Sequence, residues 1–211
     1  MIRILLLDDH AVVRAGYRQL IDAEADMQVA AEASTSAQAC ELIRQQEIDV
    51  AVVDLSLKGD SGLEAIRRLR ERQPELKVLI FTMHAQESYA LQALRAGALG
   101  YLTKDSDPED MLDALRQVAR GRRVFSGEIA QALLSDVARA GQGDLLDRLT
   151  PREFDVLRLV TSGETIGEIA QALHISEKTV FNTMSLVRQK LDVRSDFKLL
   201  RLAVEQGLVQ L

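Results

Sequence analysis

Apolar residues in the first half of the chain come in short runs separated by longer stretches with helical spacing. The runs cover residues 4–7, 29–32, 50–53, 78–81 and 100–102. Between them lie polar segments whose apolar positions recur every three or four residues. Leu63, Ile66 and Leu69 form one such set, and Leu91 and Leu94 another. A last helical stretch follows Pro108, with Met111, Leu112, Leu115 and Val118. Five strand–helix repeats in a row predict a parallel sheet covered by helices on both faces. The expected fold of this half is a flavodoxin-like (βα)5 α/β unit.

The pattern changes after residue 124. Ser126 is placed to cap a helix carrying Ile129, Leu133 and Val137, and residues 140–144 break the periodicity as a linker does. Beyond that point every signal is helical. Thr150-Pro151-Arg152-Glu153 is a capping box with proline at the first helical position. Thr165 and Glu168 repeat the spacing, Ser176 and Ser195 precede two further helices, and Gly207 ends the last. Four short helices follow, with a core expected from Leu157, Val160, Ile169, Leu173, Ile175, Val180 and Leu191. Only Leu173-His174-Ile175 separates the second from the third, the brevity expected of a helix-turn-helix. The chain thus divides into residues 1–124, a linker with a helix at 125–144, and an all-α unit at 145–211.

Composition narrows the setting. No apolar run approaches the roughly 18 residues of a membrane helix, and the N-terminus lacks the layout of a signal peptide. The single cysteine, Cys40, permits no internal disulfide, lies in an apolar helical pattern and reads as a small core residue. A reducing cytoplasmic location is therefore expected. The net charge of −6 does not suggest a nucleic-acid binder. From Leu145 onward, however, nine basic residues balance nine acidic ones, so the acidity lies upstream. Any DNA binding rests on where those cations sit.

In a doubly wound sheet, ligands bind beyond the carboxyl ends of the strands. Asp8 and Asp9 follow the first strand, Asp54 the third, Thr82 the fourth and Lys104 the fifth. The first and third strands are neighbours in the flavodoxin-like order, about 5 Å apart, so their carboxylates converge. Three acids at one sheet edge repel one another unless a cation joins them, and a hard cation such as Mg²⁺ suits oxygen ligands. A carboxylate held there can act as a nucleophile and form an aspartyl-phosphate.

Asp8-Asp9-His10, Asp54, Thr82 and Lys104 resemble the receiver signature of two-component response regulators in residue type, order and strand position. That resemblance implies phosphorylation of Asp54. It implies Mg²⁺ held by Asp9 and Asp54, with Asp8 acting through water and the Ser56 carbonyl as a further ligand. Lys104 would pair with the phosphoryl group. Thr82 would hydrogen-bond it, and Tyr101 would follow Thr82 inward or outward. The sequence departs from the family's Met-Pro after the acceptor, having Leu57 and Lys58 instead. His84, two residues past Thr82, either lines the pocket and tunes hydrolysis or is simply solvated.

Leu149-Thr150-Pro151-Arg152-Glu153, Glu168-Ile169-Ala170 and Ile175-Ser176-Glu177-Lys178-Thr179-Val180 resemble the LuxR-type output domain. With the receiver signature this points to the NarL/FixJ class over nearly the whole chain. The class implies a DNA-binding regulator switched by a sensor histidine kinase and binding promoter DNA as a homodimer, with the helix from about Glu177 to Leu191 in the major groove. The helix from Ser195 to Glu205, with Leu199, Leu202 and Ala203, either pairs the two copies, as in the class, or only covers its own domain. Lys178, Thr179 and Arg194 are candidates for phosphate contacts, and Asn182 and Ser185 for base edges. Arg188 and Lys190 either join them or compensate the helix dipole. Phe181 and Thr183 replace the family's lysine and histidine, and Gly167 stands where lysine is common. A second reading is therefore a phospho-regulated protein-interaction module with weakened or partner-dependent DNA binding. A third, an Mg²⁺-dependent phosphatase, leaves the helix-turn-helix without a role. The expected protein is thus not an enzyme beyond self-phosphorylation and self-dephosphorylation.

Overall fold

A computed structural model of the chain describes residues 1–57, 61–127, 129–130, 145–206 and 208–209. Strands β1 (Ile2–Leu7), β2 (Met27–Ala33), β3 (Val50–Val53), β4 (Lys77–Thr82), β5 (Gly100–Thr103) and β6 (Val124–Phe125) form one sheet in the order β2-β1-β3-β4-β5-β6. All its pairings are parallel. Helices α1 (Ala11–Asp22), α2 (Ser36–Gln45), α3 (Gly62–Arg72), α4 (Glu87–Arg95) and α5 (Pro108–Ala119) alternate with the first five strands.

The near-continuous apolar strands follow from burial on both faces. Successive side chains point to opposite sides of a strand, so each run supplies two cores. Leu5, Leu7, Ala51, Val53, Val78 and Ile80 face α2, α3 and α4. Ile4, Leu6, Val50, Val52, Leu79 and Phe81 face α1 and α5. The (βα)5 expectation is met, and β6 extends it. Val124 and Phe125 pair with Gly100 and Tyr101; two residues are too few for periodicity to reveal.

The C-terminal unit holds α6 (Pro151–Thr161), α7 (Ile166–Ala172), α8 (Glu177–Lys190) and α9 (Asp196–Glu205). Both capping boxes form, at Thr150/Glu153 and Thr165/Glu168. Ser176 and Ser195 cap α8 and α9. The sharp turn between α7 and α8 places His174 at φ 48°, in the left-handed region. Leu157, Ile169, Leu173, Val180 and Leu191 are buried, and Val160 and Ile175 pack partly buried against them. Cys40 is buried, as expected of a small core residue. Lys58, Leu133, Val137, residues 140–144 and Gly207 lie outside the described residues.

Glu153 ties this small domain together. It is buried, accepts from the Thr150 backbone N–H at 2.7 Å, and meets Lys190 Nζ at 2.6 Å. Burial opposes its charge, but Lys190 and the Thr150 hydrogen bonds outweigh that and hold its pKa below the usual value. Glu153→Ala is expected to cost about 1–2 kcal/mol. Because the folded-state pKa is lowered, this stability is present above the usual 4.5 and lost as pH falls through the folded value. Thermal melts at several pH values check it: the gap between wild type and variant narrows below that range.

Candidate phosphorylation pocket and DNA-binding face

The carboxyl ends of β1, β3, β4 and β5 bring the predicted pocket residues together. Asp8 and Asp54 are buried, and Lys104 Nζ lies 2.6 Å from one carboxylate oxygen of each. Burial disfavours the Lys104 charge, yet the hydrogen bonds to Asp54 and Asp8 prevail and raise its pKa. The Ser56 backbone N–H donates to Asp54 at 3.0 Å, and the His10 backbone N–H donates to Asp8 at 2.7 Å. Both loops are thereby folded back toward the acids.

The His10 ring had no assigned part in the pocket, yet its Nδ1 lies 2.9 Å from Asp9. One potential ligand atom from each of Asp8, Asp9, His10 and Asp54 lies within 4.8 Å of the others. This cluster can coordinate a metal ion, and its carboxylate oxygens suit a hard one. The adjacency of His10 to the acidic pair was visible in the sequence; the direction of its ring was not.

Thr82 is fully buried at the end of β4. Tyr101 is also fully buried, and its hydroxyl donates to the His84 carbonyl at 2.8 Å. Burial raises its pKa well above the ordinary phenol value. Tyr101 is therefore turned inward in this structure. The His84 imidazole is half-buried rather than solvated: its Nε2 is 3.0 Å from Ser56 Oγ. Burial and then the nearby Arg158 lower its pKa.

In the C-terminal unit, Lys178, Thr179, Asn182, Ser185 and Arg194 are exposed. Phe181 and Leu186 lie on α8 with the first four of these, 58% and 49% exposed. Arg188 and Lys190 have partners within the domain: Asp196 at 2.6 Å and Glu153 at 2.6 Å. Thr183 is buried, its hydroxyl donating to the Thr179 carbonyl. The unit rests on the receiver through α6, which meets α3, while Gln92 of α4 donates to the Leu146 carbonyl at 3.1 Å. The outer face of α8 stays open to solvent in this arrangement.

An aspartate cluster of this kind at a doubly wound sheet edge, followed by a helix-turn-helix, defines a phospho-acceptor receiver joined to a DNA-binding output domain. Residues 4–116 match the family described as response regulator receiver domain. Residues 147–203 match the bacterial regulatory proteins of the luxR family. The chain belongs to the NarL/FixJ-type two-component response regulators.

It is 38% identical to the nitrate/nitrite response regulator protein NarP of Escherichia coli K12, over 92% of this chain and 90% of that one. It is 33% identical to response regulator UvrY of the same strain, over 99% and 96%. Among solved structures it resembles RcsB of Salmonella enterica serovar Typhimurium bound to promoter rprA with the phosphomimetic BeF3−. That match has a TM-score of 0.64 at 27% identity over 95% of this chain and 97% of RcsB. The protein is a phospho-regulated, DNA-binding transcriptional response regulator of a two-component system. Receiver chemistry is phosphorylation and dephosphorylation of its own aspartate, not turnover of an external substrate, which sets aside the phosphatase alternative. No helix among the described residues is long and apolar enough to cross a membrane.

Proposed function

We propose that Asp54 is the phospho-acceptor of a cytoplasmic regulator served by a sensor histidine kinase. The observation that carries this is the sharing of Lys104 Nζ between the buried carboxylates of Asp54 and Asp8. An Asp54 oxygen forms the new P–O bond as the bond to the donor breaks, and the donor leaves with the electron pair. Lys104 then turns from the carboxylates to the phosphoryl oxygens, and Thr82 donates to them, with Tyr101 following its movement. Asp9 and Asp54, with Asp8 through water and the Ser56 carbonyl, would hold Mg²⁺. When bound, that ion neutralises charge on the transferring group.

The receiver occupies residues 1–124, the linker 125–144 and the output domain 145–211. On promoter DNA, α8 enters the major groove of a homodimer's half-site. Lys178, Thr179 and Arg194 contact phosphates, and Asn182 and Ser185 reach base edges. Arg188 and Lys190 are already engaged by acids of their own domain, so their part in binding is secondary. RcsB, bound to promoter DNA with a phosphomimetic, supports this reading by family likeness.

Phe181 and Leu186, exposed on the same helix, favour a second reading in which α8 engages a protein partner, alone or beside DNA. Genome-wide occupancy of wild type and Asp54→Ala separates the possibilities. Discrete sites that fade in the variant are expected. Sites unchanged in the variant would remove Asp54 from the switch. No sites in either, under inducing conditions, would favour the protein partner.

A further inference from the structure

A file of rings runs from the pocket mouth into the output domain. Ser56 Oγ and His84 Nε2, 3.0 Å apart, join the loops after β3 and β4. The His84 ring stacks on Tyr89 of α4, with centroids 4.4 Å apart and planes 12° apart. Tyr89 is buried. Phe154 of α6 meets it edge-on at 5.2 Å and 84°. The Arg158 guanidinium, one helical turn further along α6, lies 5.7 Å from the same ring's centroid, within cation–π range. The His84 backbone completes the link to the pocket: its carbonyl accepts from Tyr101 and its N–H lies 3.5 Å from Thr82 Oγ1.

We propose that His84 and Tyr89 act as positioning residues coupling the Asp54 pocket to docking of the output domain through Phe154 and Arg158. This rests on the reading of Asp54 as phospho-acceptor. With α6 docked, Tyr89 is clamped, and His84 is held across the pocket mouth against Ser56. An occupant on Asp54 draws Thr82 and the loop after β3 toward itself and breaks that clasp. The stack then loses its inner end, and α6 loosens. The outer face of α8 is already exposed when docked, so docking fixes the placement of the output domain rather than covering its recognition surface. Coupling between sites is reciprocal at equilibrium. Weakening the docked side therefore tightens binding in the pocket.

The test titrates the full chain with beryllofluoride in saturating Mg²⁺, read by calorimetry. Arg158→Ala, which removes a side chain belonging to the other domain, is expected to raise the affinity about 5-fold, as is His84→Ala. The double variant should gain no more than the larger single. Arg158→Met, which keeps the aliphatic stem, replaces Arg158→Ala if circular dichroism shows that variant unfolded. In parallel, beryllofluoride is expected to speed amide hydrogen exchange across α6 in the wild type but not in His84→Ala. Variant affinities equal to or weaker than wild type, single effects that multiply, or α6 exchange indifferent to beryllofluoride would overturn the coupling while leaving Asp54 as the acceptor. A wild type that binds no beryllofluoride would overturn the acceptor reading and the coupling with it.

Discussion

Replacing Lys104 by methionine is expected to cost the metal-free protein about 3 kcal/mol and to make its stability depend on divalent cation. Lys104 Nζ sits 2.6 Å from both Asp8 and Asp54, and the three side chains are only 9%, 8% and 3% exposed. Methionine keeps the stem and removes the charge, leaving two buried carboxylates facing each other with their shared counter-ion gone. Uncompensated buried charge is costly, far more so than a lost surface pair. The native environment raises the Lys104 pKa, so its contribution is fully present below the usual lysine value and is lost only as pH rises through the folded one. At neutral pH the whole loss is visible. A cation that binds the folded pocket restores stability by mass action. Melting curves with and without Mg²⁺ check this: the variant melts lower without the ion and gains more from it than wild type does. A variant as stable as wild type, or one indifferent to Mg²⁺, would contradict the account of Lys104 as the shared counter-ion of Asp8 and Asp54.

That pocket was legible in the sequence because each of its parts sits at a strand end. Asp8, Asp54, Thr82 and Lys104 need only the sheet order to bring them together, and the near-continuous burial of β1, β3 and β4 marks these as inner strands covered on both faces. The capping boxes at Thr150 and Thr165 were legible for a similar reason, since each is closed within four residues. What stayed hidden depends on contacts distant along the chain. His84 could be read as a solvated histidine because Ser56, which its ring meets, lies 28 residues upstream, and Phe154 and Arg158, which hold Tyr89, lie far downstream. Lys190 looked like a candidate for DNA because its partner, Glu153, lies 37 residues upstream. Arg188, paired with Asp196 across the α8–α9 turn, is the shorter-range version of the same case. Periodicity reports which face of a helix is apolar, but not which charge on the other face has found a partner.

Gly62→Ala is expected to be among the most damaging single-methyl additions to the receiver. Gly62 opens α3, immediately after the loop that carries Asp54 to the pocket. A Cβ built on it would lie 2.4 Å from Leu55 Cα and 2.5 Å from the Asp54 carbonyl oxygen. Both are backbone atoms, so no side-chain rotation relieves the clash. Either the start of α3 or the end of β3 must shift. The first disturbs Ser61, whose side chain caps the helix by accepting from Glu64 N–H. The second moves Asp54 relative to Lys104 and Asp8, whose positions are set by other strands. Overpacking of this kind costs about 3 kcal/mol. A reacting group misplaced by about 1 Å loses about 100-fold in rate. Gly16→Ala is the matched control. That glycine lies within α1 with nothing within 4 Å of the added carbon, and the change is expected to stabilise by about 0.5–1 kcal/mol. Chemical denaturation and phosphoryl uptake from a small-molecule donor, measured on both variants, read the two effects separately. Loss of uptake in Gly62→Ala at a temperature where it is still folded would show that the close approach at this glycine positions the acceptor as well as packing the helix. Uptake retained at the wild-type rate would confine the role of Gly62 to stability.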